Sequence, residues 1–201
     1  MKRYVYLALL LVITCALYLP SAAGAYVTFN GHVLKGGVGS WGVADRYYYV
    51  FEGAQGYTSA IPNAVTDWSN TGTRIGVTTP VTWLKTTSQS ASVMFIHAAN
   101  YFGSGSGIIA ETDFWTSGGA EVDEYSSNWH HGRIRLNTPV FESLSTYKRE
   151  GSVAHEMGHV MGLDENNSKP GSVMCQLGSG RTVNNAQKDD ANGINHLYPN
   201  G

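Results

Sequence analysis

The stretch Val153-Ala154-His155-Glu156-Met157-Gly158-His159-Val160-Met161-Gly162-Leu163-Asp164-Glu165-Asn166 decides how this chain is read. His155 and His159 are four residues apart, so on a helix turning ~100° per residue they stand one above the other and aim two imidazoles at one point. That spacing is a metal chelate. Glu156 lies about 100° further round, where a carboxylate reaches a water beside the metal without displacing it, the general-base position of an H-E-x-x-H pattern. A third ligand has to come from beyond the helix, and Gly162 lets the chain leave through a left-handed turn. Glu165, ten residues after His155, is the group that such a turn delivers. From the chain's own His and Glu frequencies the pattern would arise by chance in roughly one such sequence in a hundred. Two ordinary buried histidines are therefore the weaker reading.

On these residues the chain resembles the matrixin branch of the metzincin metallopeptidases, whose pattern H-E-x-x-H-x-x-G-x-x-H is matched at His155, Glu156, His159 and Gly162. Glu165 stands where that family has its third histidine, and a related secreted metzincin family carries Asp there. Further along, Gly103-Ser104-Gly105-Ser106-Gly107-Ile108-Ile109-Ala110-Glu111-Thr112 looks like the matrixin glycine-rich loop and the edge strand that lies over the zinc. By that resemblance residues 108–112 hold an extended peptide through main-chain hydrogen bonds, whatever its sequence. Ser172-Val173-Met174-Cys175 places Met174 within one residue of the family's methionine turn, an apolar floor beneath the ligands. The terminal helix is matched at Asp189, Asp190, Gly193, Ile194, Leu197 and Tyr198.

The resemblance implies an α+β fold: one metzincin-like domain with a twisted, mostly parallel five-stranded mixed sheet, an antiparallel edge strand, three helices and an active-site cleft. It implies a zinc endopeptidase in which His155, His159 and Glu165 hold one catalytic Zn2+ and Glu156 is the base. Asp164, His130 and His131 stay open as other donors for the third position. The family's second zinc is expected to be absent, because Glu111 occupies one of its histidine positions and no His occurs between His97 and His130. Asp113 matches a calcium-ligand (Ca2+) position, the plain alternative being an exposed loop aspartate. A metallopeptidase taking its third ligand, a Glu, from a later helix fails on inventory, since no Glu follows Glu165. The rival class is a non-catalytic peptide-binding module on the same scaffold. Glu156 argues against it, because a pure binder needs no base beside the metal.

Outside these motifs the chain adds context. Residues 1–25 read as a secretory signal peptide: Lys2 and Arg3, an apolar run too short for a comfortable membrane span, then Ala23-Gly24-Ala25. Thr14 before Cys15 fits a lipid-anchor site poorly, so no membrane anchor is expected. Removing this segment moves the formal charge from −2 to −4, which gives no support for nucleic-acid binding. It also removes Cys15 and leaves Cys175 alone, so residues 26–201 form one catalytic domain without an intrachain disulfide. A secreted, extracellular monomer is expected. Strands are predicted at 26–29, 46–51, 74–79, 92–97 and 133–137. Helices are predicted over 59–70, from Ser145 or Thr146 to about Met161, and at the end of the chain. No latency motif lies between Tyr26 and the domain. N-terminal sequencing of the secreted protein is therefore expected to give a start near Tyr26, with activity in that form. An inactive form that gains activity only after losing further residues would contradict this.

Overall fold

A computed structural model describes residues 26–39 and 46–199. The segment read as a signal, residues 1–25, and part of the glycine-rich stretch before the first strand lie outside the described residues. A run of aromatic residues ending in a β-branched one makes Arg46–Val50 a strand, β1, with Tyr48 and Val50 buried on one face and Tyr47 and Tyr49 on the other. Trp83–Lys85 is β2, Ser92–Ala99 β3, Ala110–Trp115 β4 and His131–Asn137 β5. The sheet order is β2-β1-β3-β5-β4. Every pairing is parallel except the last, where β4 runs antiparallel to β5 along the edge. Met94 and Ile96 of the central strand, with Ile134 and Leu136 of β5, build the fully buried face.

Helices cover that face. Ala60–Ser69, α1, buries Ile61, Ala64, Val65 and Trp68 at helical spacing. The five-residue α2, Thr71–Ile75, follows at once, and the four-residue α3, Thr138–Phe141, leaves the end of β5. Thr146–Val160 is α4, begun by Ser145, whose Oγ accepts from the Lys148 N–H at 3.4 Å. Its Val153, Met157 and Val160 have no exposure. Two buried tryptophans are tied to it: Trp68 Nε1 donates to the Ala154 carbonyl and Trp129 Nε1 to that of Val160, both at 2.9 Å. Each fully buried Ile or Met contributes ~1.5–3 kcal/mol and an exposed ion pair ~0–1 kcal/mol. With Cys175 free, the apolar layer between sheet and helices therefore stabilises the domain.

The last helix, Lys188–Leu197 or α5, starts with a capping box in which the Gln187 N–H donates to Asp190 Oδ2 at 2.7 Å. The same carboxylate accepts from the Val173 N–H at 3.0 Å and from the Ser172 hydroxyl, so Asp190 both caps α5 and anchors the methionine turn. Among the described residues no helix is long and apolar enough to cross a membrane.

Two predicted strands are corrected. Residues 74–79 read as extended because Arg, Ile, Val and Thr dominate them. Instead α2 reaches Ile75, Gly76 closes it in the left-handed region at φ 73°, and Arg74 turns to the chain's end, donating to Asn185 Oδ1 at 2.8 Å and the Ala186 carbonyl at 2.7 Å. The strand at this side of the sheet is β2, further along. Residues 26–29 form a single bridge, Thr28 with Leu163, in place of a sheet strand. That bridge matters for the site: the Phe29 N–H donates to the Gly162 carbonyl at 3.2 Å and the Asp164 N–H to that of Val27 at 2.9 Å. The segment thus clamps the loop leaving α4.

Gly162 makes that exit at φ 104°, and a Cβ there would lie 2.7 Å from the His32 carbonyl oxygen. Gly180 has a similar φ of 95° but open space around it. Gly162→Ala is expected to lower the unfolding free energy by ~2 kcal/mol or more, and by more than Gly180→Ala. Urea denaturation of the two variants measures this, and equal losses would remove the packing contribution assigned to Gly162.

Candidate metal centre

Helix α4 sets His155 and His159 one turn apart, with their rings edge to face at 86° and centroids 4.6 Å apart. Each ring is pinned from behind. His155 Nδ1 bonds the Val173 carbonyl and His159 Nδ1 the Leu163 carbonyl, both at 2.9 Å. A carbonyl can only accept, so each Nδ1 carries the hydrogen and each Nε2 presents a lone pair. The two Nε2 atoms lie 3.0 Å apart, and Glu165 Oε1 lies 3.3 Å from one and 3.5 Å from the other. With both hydrogens on Nδ1 the three atoms all present lone pairs, and a shared positive charge, a metal ion or a proton on one Nε2, is what joins them. Two neutral imidazole nitrogens and one carboxylate are a zinc donor set that leaves a further position open. Glu165 Oε2, buried and without a hydrogen-bond partner, is one more oxygen with unused capacity. The residues present fit the metal.

The charge balance agrees. Burial by itself would lower the His159 pKa, but a hydrogen bond donated to Glu165 when the ring is protonated, with the charges of Glu156 and Glu165, raises it to about 9. Burial would raise Glu165, but both histidines hold it well below the usual carboxylate range. The cluster is built to gather positive charge around one anionic oxygen.

Of the donors left open by the sequence, the structure brings Glu165 to the imidazoles. Asp164 is turned elsewhere, with Oδ1 accepting from the Glu165 N–H at 2.7 Å and Oδ2 from the Tyr125 hydroxyl at 2.9 Å. His130 is exposed, and His131, at the start of β5, packs between Phe95 and Trp115. Met174 is buried and packed so closely on α4 that any Cβ on Gly158 would overlap its sulfur, and its carbonyl accepts from the Asn166 N–H at 2.8 Å. Cys175 is buried outside the cluster, with burial pushing its thiol pKa up.

The calcium expectation at Asp113 finds no support. Asp113 is no exposed loop residue: it lies in β4, 6% exposed, and its carboxylate is shared between Arg133 at 2.8 Å and Arg135 at 2.9 Å. A carboxylate neutralised by two guanidinium groups has little left for a cation. In sequence the partners sit twenty or more residues away, which concealed the pairing.

Glu156 is buried beside the cluster, and here the structure adds a residue the sequence reading missed. The Thr112 hydroxyl on β4 donates to Glu156 Oε2 at 2.7 Å, fixing one carboxylate oxygen and leaving the other free. A small polar residue in an edge strand carries no signal of this by itself. Two more were missed: Gln176, whose Nε2 donates to Glu165 Oε1 at 2.9 Å, and Phe29, whose ring lies 5.6 Å from that of His159. Glu156 divides the cleft. On one side is a cavity of about 360 Å³ lined by Ile108, Ile109, Ser152, His155, Leu177 and Arg181. On the other is one of about 200 Å³ lined by Phe29, Thr112, Phe114, Tyr125, His159 and Asp164.

A search among curated proteins finds no significant match. Comparison with family profiles does find one, and it spans the helix, the loop that delivers Glu165, the methionine turn and α5: with residues 52–199 matching the profile described as Matrixin, well over half of its length, the chain belongs to the matrixin family.

Proposed function

We propose that this matrixin is a secreted zinc endopeptidase that hydrolyses peptide bonds in extended chains. One observation carries the reading: a half-anchored, buried carboxylate, Glu156, stands between a three-donor metal cluster and the open edge of a sheet. His155, His159 and Glu165 would hold the zinc, which when bound supplies Lewis acidity to polarise the scissile carbonyl and acidify a neighbouring water. The main-chain groups at the outer edge of β4 would pair with the substrate backbone and set the carbonyl in place. Among the described residues no main-chain bond closes that edge near Ala110, while the far end is closed by the Val122 N–H donating to the Phe114 carbonyl at 2.8 Å. Glu156, with Oε2 held by Thr112, takes a proton from the attacking water on its other oxygen as the carbon–oxygen bond forms. It then passes that proton to the leaving amine as the carbon–nitrogen bond breaks. The carbonyls of Val173 and Leu163 keep the hydrogens of both imidazoles on Nδ1, so Nε2 stays a ligand atom throughout. Export rests on the character of residues 1–25.

Glu156→Gln keeps the shape of the side chain but cannot accept a proton. It is expected to bind zinc at full stoichiometry while kcat falls by ~100-fold or more. Metal analysis alongside cleavage of a denatured protein tests this. Loss of zinc together with activity would make Glu156 a ligand or a folding residue, and retained activity would favour no base role at all.

Glu165→Ala is expected to weaken zinc binding by ~100-fold, whereas Asp164→Ala and His131→Ala should leave it nearly unchanged. Glu165→His should restore binding. It should also move the acid limb of the pH–rate profile to lower pH, because a neutral ligand leaves more net charge on the metal. Chelator competition and pH profiles for the four variants supply the measurement. A full zinc in Glu165→Ala with loss in Asp164→Ala or His131→Ala would move the third position to that residue.

A further inference from the structure

Arg181 is a buried charge that the reaction does not use. It lies in the loop after the methionine turn, 8% exposed. Nη1 donates to the carbonyls of Val173 and Cys175, and Nη2 to Ser152 Oγ, all at 3.3 Å. A guanidinium has five N–H donors, so these bonds leave two unused, and among the described residues no carboxylate forms an ion pair with it. Taking such a cation out of water without an anion is unfavourable. Arg181 is also part of the wall of the cavity of about 360 Å³, whose other sides include Ile108, Ile109, Ala110 and Leu177. Glu156 and Glu165 border the same space, but one faces the scissile bond and the other the metal cluster. Arg181 is the charge left for an incoming side chain.

The direction of the peptide follows from β4. That strand begins beside this cavity at Ala110 and runs past Thr112 and Phe114 beside the other. A peptide pairing antiparallel to it, as β5 does on the opposite side, places the residue that follows the cleaved bond in the larger cavity. We propose that Arg181 sets the specificity of the site, selecting substrates with an acidic side chain, Glu above all, immediately after the scissile bond. The aliphatic stem lies against Ile108, Ile109 and Leu177, and the carboxylate takes the free N–H donors of the guanidinium. This inference rests on the peptidase reading above.

The test uses the zinc-loaded enzyme and fluorogenic peptides that differ only at the residue after the cleavage site: Glu, Asp, Gln or Leu. Wild type is expected to favour Glu over its neutral isostere Gln by about tenfold or more in kcat/KM. Arg181→Gln should reduce that ratio to about twofold or less while still cleaving the Gln peptide, and Arg181→Lys should keep most of it. Binding of the same peptides to Glu156→Gln, read by fluorescence anisotropy, should show the same order without turnover. If Arg181→Gln fails to fold, the wild-type ratio and the Arg181→Lys variant decide. Cleavage of the Gln or Leu peptide as fast as the Glu peptide overturns this inference and leaves the peptidase reading intact. An acidic preference that persists in folded Arg181→Gln removes the role from Arg181, and no cleavage of any peptide overturns both readings.

Discussion

Three acceptor atoms that repel one another hold the centre of this molecule: His155 Nε2, His159 Nε2 and Glu165 Oε1, all within 3.5 Å. They are kept together by what lies behind them. The carbonyls of Val173 and Leu163 take both Nδ1 hydrogens, and those two carbonyls belong to the methionine turn and to the loop leaving α4. Both supports are secured in turn. Asp190 binds the turn while capping α5, and residues 26–29 clamp the loop. The energy to oppose the repulsion comes from the fully buried layer of Met94, Ile96, Ile134, Leu136 and Met157.

The sheet divides its labour between two faces. One is apolar and receives the helices. The other carries a charge ladder of Glu111, Asp113, Arg133 and Arg135, in which Asp113 shares two arginines and Arg135 also meets Glu111. That ladder joins β4 to β5 by side chains as well as by main-chain bonds, which stiffens the strand whose outer edge is open. A rigid edge suits a surface that orders a flexible peptide, because less of the binding energy is lost to ordering the protein.

Around Glu156 the two cavities differ in character. The smaller is lined by Asp164, Tyr125 and the rings of Phe29 and Phe114, the larger by Arg181 and aliphatic side chains, and Glu165 borders both. Glu156 touches both, and Thr112 fixes it from β4. The position of the base is therefore set by the same strand that would align the substrate. A displacement of β4 changes alignment and proton transfer together.

The sequence by itself determined whatever depends on near neighbours along the chain. Four-residue spacing put His155 and His159 on one helical face, Gly162 provided the left-handed exit, Ser145 or Thr146 marked the start of α4, and aromatic and β-branched character, apolarity and alternation marked β1, β3 and β5 in turn. Glu165 was legible as the group delivered by the turn, because only a few residues separate it from the helix. Tertiary structure alone decided what depends on partners far away. Residues 74–79 have strand-forming side chains, yet Arg74 is drawn to Asn185 and Ala186, and the chain there is helix and loop. Asp113 looked like an exposed loop acid until Arg133 and Arg135 enclosed it. Thr112 on Glu156, Gln176 on Glu165 and Arg181 in its cavity had no local signature either. The physical reason is the same in each case: propensity and periodicity act over one or two turns of chain, whereas burial and hydrogen-bond partnership are settled only when distant segments pack.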